Sequence, residues 1–84
     1  MAVVKIRLLL FAILRDIVGE SEVVMTLASG TRAVDVWNAL SAKHPQLAGY
    51  EIPPLTAVNE SYVPAETVLQ SGDDLVFIPP VAGG

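Results

Sequence analysis

The chain has 84 residues, enough for one domain, and contains no cysteine, which excludes disulfide staples and thiolate metal sites and leaves stability to a composition that is 52% apolar. A domain this small buries only about 60% of the surface of its unfolded chain, so most of those apolar residues are needed in the core. Nine acidic residues are scattered among five basic ones for a net charge of −4, which argues against a nucleic-acid binder with its basic stripe, and the absence of cysteine fits a reducing, cytoplasmic setting.

Val3 to Phe11 is rich in β-branched and large apolar residues and reads as a strand. Val4, Ile6, Leu8 and Leu10 share one parity and form its core face, while Lys5 and Arg7 share the other. Within the apolar N-terminal stretch Val3–Glu20, the longest uncharged run, Leu8 to Leu14, is far short of the roughly 20 residues of a membrane span. Lys5 and Arg7 precede it as in a signal peptide, but Arg15 and Asp16 follow at once and no small-residue cleavage site appears, so neither span nor leader is expected. Ala12 to Val18 reads as a short helix ended by Gly19, and Glu22 to Leu27 as a second strand. The "ASGT" turn leads to Thr31 as helix N-cap, with Asp35 in the first turn. Ala33, Val36, Trp37 and Leu40 recur at helical spacing until Pro45 stops the helix near His44. "PQLAGYEIPP" reads as an irregular crossover. Leu55–Val58 and Ser61–Val63 are strands around a tight Asn59–Glu60 turn; "QSGDD" is a turn before a last strand, Asp74–Ile78. This order predicts an α+β chain of the β-grasp, ubiquitin-like class: a mixed four- to five-stranded sheet wrapped on one main helix. The first and last strands are expected to be parallel neighbours at its centre. Residues 1–78 would form the domain and 79–84 an extended, flexible tail.

No constellation supports catalysis by the chain alone. His44 is the single histidine and sits where it would stabilise a helix C-terminus. Asp73 and Asp74 are accounted for by turn chemistry, Glu20 and Glu22 by a solvated connection, and Trp37 by the apolar helix stripe. The serines lack a histidine suitably placed for a triad, and there is no glycine-rich phosphate loop.

The last eight residues, "FIPPVAGG", do not want to pack. Pro79 and Pro80 have no backbone donor and favour an extended path, Val81 and Ala82 continue it, and Gly83 and Gly84 have no Cβ to obstruct a narrow channel. Extended, this arm reaches about 20 Å at ~3.3 Å per residue. It is either a frayed end or a working carboxylate. A carboxylate is a poor electrophile and needs activation, most plainly by adenylation with ATP. Sulfur attack then gives a thiocarboxylate; attack by a lysine amine gives an isopeptide.

Phe11-Ala12 with Arg15 and Gly19, "AVN" at 57–59 and "SGDDLVFIPPVAGG" at 71–84 together resemble the small-subunit family of molybdopterin synthase, which are ubiquitin-like sulfur carriers. The likeness is weak over "PQLAGYEIPP". It implies that Gly84 is adenylated by an E1-like enzyme that uses ATP and is thiocarboxylated from a persulfide-bearing sulfur donor. The thiocarboxylate, with Gly83 as its narrow neighbour, would then enter the large subunit of a heterotetramer. There it would give sulfur to cyclic pyranopterin monophosphate, twice, to build the dithiolene of molybdopterin. The chain itself would be a non-catalytic subunit with no bound cofactor, no metal and no contact with nucleic acid or membrane. Alternatives are a thiocarboxylate donor for thiamin, cysteine or tRNA thiolation, a ubiquitin-like modifier joined to lysines, and a binding module with an inert tail.

Strand parity adds a second indication. If Lys5 and Arg7 face away from the helix, so do Leu9 and Phe11; Val76 and Ile78 do the same on the last strand, and Tyr62 can join them. Such an apolar cluster marks a docking surface unless residues 45–54 cover it. The resemblance implies partner contacts at Phe11, Tyr62 and Ile78; parity adds Val76, and the Pro79–Ala82 arm is expected to contact the partner as well. Arg15 would pair with acidic groups on a partner or remain a solvated charge.

Overall fold

Alternation along the first strand sets the two sides of the sheet. In the computed structural model, which describes residues 2–49 and 54–78, β1 (Val3–Leu9) buries Val4, Ile6 and Leu8 and exposes Val3, Lys5 and Arg7. The strand stops two residues earlier than expected because Phe11 already caps α1 (Ala12–Val18), although Leu10 is still buried and its N–H still donates to the Ser21 carbonyl at 2.9 Å. Gly19 ends α1 as its sequence requires: at φ 89° it sits in the left-handed region, and its N–H donates to the Arg15 carbonyl at 2.8 Å. The chain returns as β2 (Glu22–Ala28), antiparallel to β1.

The start of α2 (Ala33–Lys43) differs from expectation. Its N-cap is Arg32, not Thr31, whose hydroxyl instead donates to the Ala28 carbonyl at 2.6 Å. Asp35 accepts from the Arg32 N–H at 2.9 Å and pairs with its guanidinium at 2.9 Å. The free N–H groups of Ala33 and Val34 donate to the carbonyls of Thr67 and Ala65, at 3.0 and 2.8 Å. A helix start otherwise lacking partners is thus satisfied by a loop from the far end of the chain, which local capping rules do not reveal. His44 closes the helix through its N–H to the Leu40 carbonyl at 2.9 Å, and Pro45 opens a 3₁₀ turn, Pro45–Gly49, that sets Leu47 in the core.

Strands β3 (Leu55–Val58) and β4 (Ser61–Val63) form a hairpin whose two turn residues both have positive φ, 51° at Asn59 and 70° at Glu60, as a right-twisting two-residue turn demands. Gly72, at φ 91°, turns the chain into β5 (Asp74–Ile78). The sheet order is β2-β1-β5-β3-β4, with β1 and β5 parallel and the other pairs antiparallel. This is the expected β-grasp, ubiquitin-like fold, with five strands and α2 as the main helix.

The core lies between α2 and one face of the sheet. Leu8, Leu14, Leu47 and Leu75 are fully buried in it, and the Trp37 ring meets Phe77 edge to face at 5.1 Å. On the other face, the Arg7 guanidinium closes the parallel β1–β5 pairing. It donates to both carboxylate oxygens of Asp74 at 2.8 Å and reaches Glu22 at 3.1 Å. Turn chemistry therefore accounts for Asp73, which accepts from the Gln70 N–H at 2.8 Å and the Asn59 amide at 2.9 Å, but not for Asp74. No described helix is long and apolar enough to cross a membrane.

Leu8→Ala opens a cavity in the middle of this core and is expected to lower unfolding free energy by about 2–5 kcal/mol, measured by urea denaturation. The hydrogen bonds from Arg7 hold the Asp74 carboxyl below the usual carboxylate range. Because the folded pKa is the depressed one, this stabilisation is complete above the unfolded value of about 4 and is lost as pH falls through the folded one. Denaturation midpoints measured from neutral pH into acid should fall less steeply for Asp74→Asn than for the parent chain.

Candidate docking surface at the end of the last strand

The open face of the sheet divides into two halves. Its charged half holds Lys5, Arg7, Glu22 and Asp74, where the register sets Arg7 beside Asp74. Its other half is apolar. Leu9 lies beside Val76, Val76 opposite Ala57, and Ala57 opposite Tyr62, so one row crosses four strands. Ile78 and Leu55 face each other in the next row, at the end of β5. Tyr62 is 72% exposed, Leu55 60% and Ile78 38%; Leu9 and Val76 are half-buried. Alternation within short strands produces this row, since the residues between, Thr56, Leu75 and Phe77, are all spent on the core.

The residues named from the sequence fall into three groups. Tyr62, Val76 and Ile78 come together on this surface. Phe11 is 57% exposed but stands off the strand as the N-cap of α1, and Arg15 lies on α1, exposed and with no ion pair to a described residue. Pro79, Pro80, Val81, Ala82, Gly83 and Gly84 lie outside the described residues and follow Ile78 directly in the chain. Leu55 is a member the sequence reading missed. Its signal was its shared parity with Ala57, but pairing it with Ile78 required the β3–β5 register, which the intervening crossover hides.

The described part of that crossover does not cover the open face. Residues 45–49 pack against α2, and Leu47 enters the core from the helix side. Residues 50–53 are outside the description.

Among the described residues no group of three or more His, Asp or Glu side chains is placed to hold a metal ion. His44 caps α2, and Asp73 and Asp74 are engaged in the sheet's own hydrogen bonds. What the surface offers is recognition: a partly exposed aliphatic and aromatic row, with Ala57 buried at its middle, beside the last residue of β5. Area of this kind contributes about 25 cal/mol per Å² when a partner removes it from water.

Comparison with known proteins follows the same outline. The ThiS family matches residues 8–84. A molybdopterin synthase sulfur carrier subunit from Arabidopsis thaliana is 32% identical over 81 residues, covering 96% of this chain and 84% of the relative. The solution structure of a Haloferax volcanii protein superposes with a TM-score of 0.84 at 28% identity, over 98% of this chain and 88% of that one. The solution structure of small archaeal modifier protein 1 from Methanosarcina acetivorans does so at 0.75 and 25% identity over 100% of both chains. The chain belongs to the ThiS family.

Proposed function

We propose that this chain is a sulfur carrier and acts as the small subunit of molybdopterin synthase. The observation that carries the reading is its similarity, over nearly its whole length, to a sulfur carrier subunit of that enzyme. The apolar row supports it, because it lies where the last strand hands over to residues 79–84.

In this reading Gly84 carries the chemistry and the folded domain supplies recognition. An E1-like enzyme transfers AMP from ATP to the Gly84 carboxylate, releasing pyrophosphate. Persulfide sulfur from a donor protein displaces AMP, and a thiol cleaves the resulting S–S bond to leave a thiocarboxylate. Gly83 and Gly84, without side chains, pass into the large subunit's active site, with Pro79 to Ala82 as the arm behind them. The sulfur goes to cyclic pyranopterin monophosphate, and a second carrier completes the dithiolene. Leu55, Tyr62, Val76 and Ile78 dock on the large subunit and, in turn, on the activating enzyme. Phe11 adds apolar contact and Arg15 pairs with a partner carboxylate. A small domain can serve both encounters with one face because each partner completes the chemistry the carrier lacks.

A second reading, a protein modifier whose Gly84 is joined to lysines, is favoured by the likeness to small archaeal modifier protein 1. Intact-mass measurement after incubation with ATP, an E1-like enzyme and a persulfide donor separates the two. The carrier reading expects a shift by the mass difference between sulfur and oxygen at the C-terminus. No shift, or isopeptide adducts alone, would overturn it.

Ile78→Asp is expected to weaken binding to the large subunit by about 2 kcal/mol or more, measured by calorimetry, while the melting temperature changes little because Ile78 faces away from the core. Removing Gly84 should abolish sulfur transfer and leave the melting temperature unchanged.

A further inference from the structure

Among the described residues the sheet has two edges, and they are unequal. The β4 edge is three residues long, beside Glu60. The β2 edge runs for seven, Glu22 to Ala28, with one charge at its first residue and no lysine, proline or glycine within it. Edges of this length are usually blunted by such residues, because an unpaired strand is a template for another.

The hydrogen-bond phase of β2 is fixed by its pairing with β1. Leu10 N–H donates to the Ser21 carbonyl at 2.9 Å and Ser29 N–H donates to the Ala2 carbonyl at 3.2 Å. Both bonds lie in the β1–β2 register, one at each end of the ladder. The two-residue period of an antiparallel ladder then turns the backbone groups of Val23, Met25 and Leu27 toward β1 and those of Glu22, Val24, Thr26 and Ala28 outward.

We infer that β2 is a self-association edge that takes a second copy of this chain, antiparallel, about a two-fold axis at Met25. This register overlaps the whole strand. Val24 faces the partner's Thr26, and Glu22 faces the partner's Ala28, so every outward backbone group meets another outward group. No like charges stand opposite each other, since the only charged residue faces an alanine. On the helix side, Val23 faces the partner's Leu27 and Met25 faces the partner's Met25. These side chains are only half-buried in the single chain, where Val23 and Met25 line a groove of about 530 Å³ with Val18 and Leu40. Pairing extends that apolar floor across the seam, and cross-strand apolar pairs are what stabilise a sheet. Strand β1 lies between this edge and β5, so the docking row at the end of β5 stays open in the dimer.

Sedimentation equilibrium of the full chain, from micromolar to millimolar concentration, tests the inference. The expected result is a reversible dimer. V24E/T26E sets carboxylates beside Arg7 and Lys5 within its own sheet but opposes two like-charged pairs across the seam, and should raise the dissociation constant at least about tenfold. V24E/T26K sets opposite charges across the same seam and should retain the dimer. Melting temperatures near the parent's show that each variant is folded. Met25→Cys, the only cysteine in the chain, should form an intermolecular disulfide on mild oxidation. A chain that stays monomeric at millimolar concentration, or a dimer indifferent to V24E/T26E, overturns the inference, and an extended peptide from another protein would then be the occupant to seek.

Discussion

The parallel pairing of β1 with β5 at the centre of the sheet is the constraint from which the rest follows. It joins the two strands that lie furthest apart in the chain, so everything between them must form the return path. Parallel neighbours cannot be joined by a tight turn, and the path here includes α2, which covers one face of the sheet. It also fixes the register that puts Leu9 beside Val76 and Arg7 beside Asp74. The place where β5 ends is therefore not a free choice of the last residues; it is dictated by the middle of the sheet.

The same pairing sorts side chains by parity into two populations with different tasks. On the helix side, Ile6, Leu8, Leu75 and Phe77 are packed with Trp37, Leu40 and Leu47 into the core, in a chain with no cysteine to form a disulfide. On the open side, apolar residues that could have been polar at no loss to the core remain exposed beside the end of β5. A row of this kind is unfavourable to hydrate in isolation and becomes favourable when a partner covers it, which is why its position carries functional meaning. On the charged half of the same face Arg7 pairs with both Asp74 and Glu22, the latter standing opposite Leu9 where the charged and apolar halves meet.

Local chemistry was legible in the sequence. The alternation of Val4, Ile6, Leu8 and Leu10, the stop at Gly19, the turn at Asn59–Glu60 and the block at Pro45 each depend on a few neighbouring residues, and each appears where expected. Parity also located Val76 and Ile78, and the position of Tyr62 beside the turn brought it to the same face. What stayed hidden involves distant partners. Arg7 and Asp74 are separated by 67 positions, so nothing near Asp74 distinguishes it from the turn residue Asp73. The N-cap moved from Thr31 to Arg32 because the carbonyls of Ala65 and Thr67 satisfy the helix start. Leu55 joined the exposed row through a register set on the far side of an irregular crossover.

The central claim is that the open-face row at the end of β5 is where partners dock. Methyl resonances followed by NMR, as the large subunit of molybdopterin synthase is added to the labelled chain, test it directly. The account predicts that the methyls of Leu9, Leu55, Ala57, Val76 and Ile78 shift or broaden together, while those of Val23 and Leu40 in the groove between β2 and α2 stay in place. Perturbation confined to the helix side, with the open-face methyls unmoved, would contradict it.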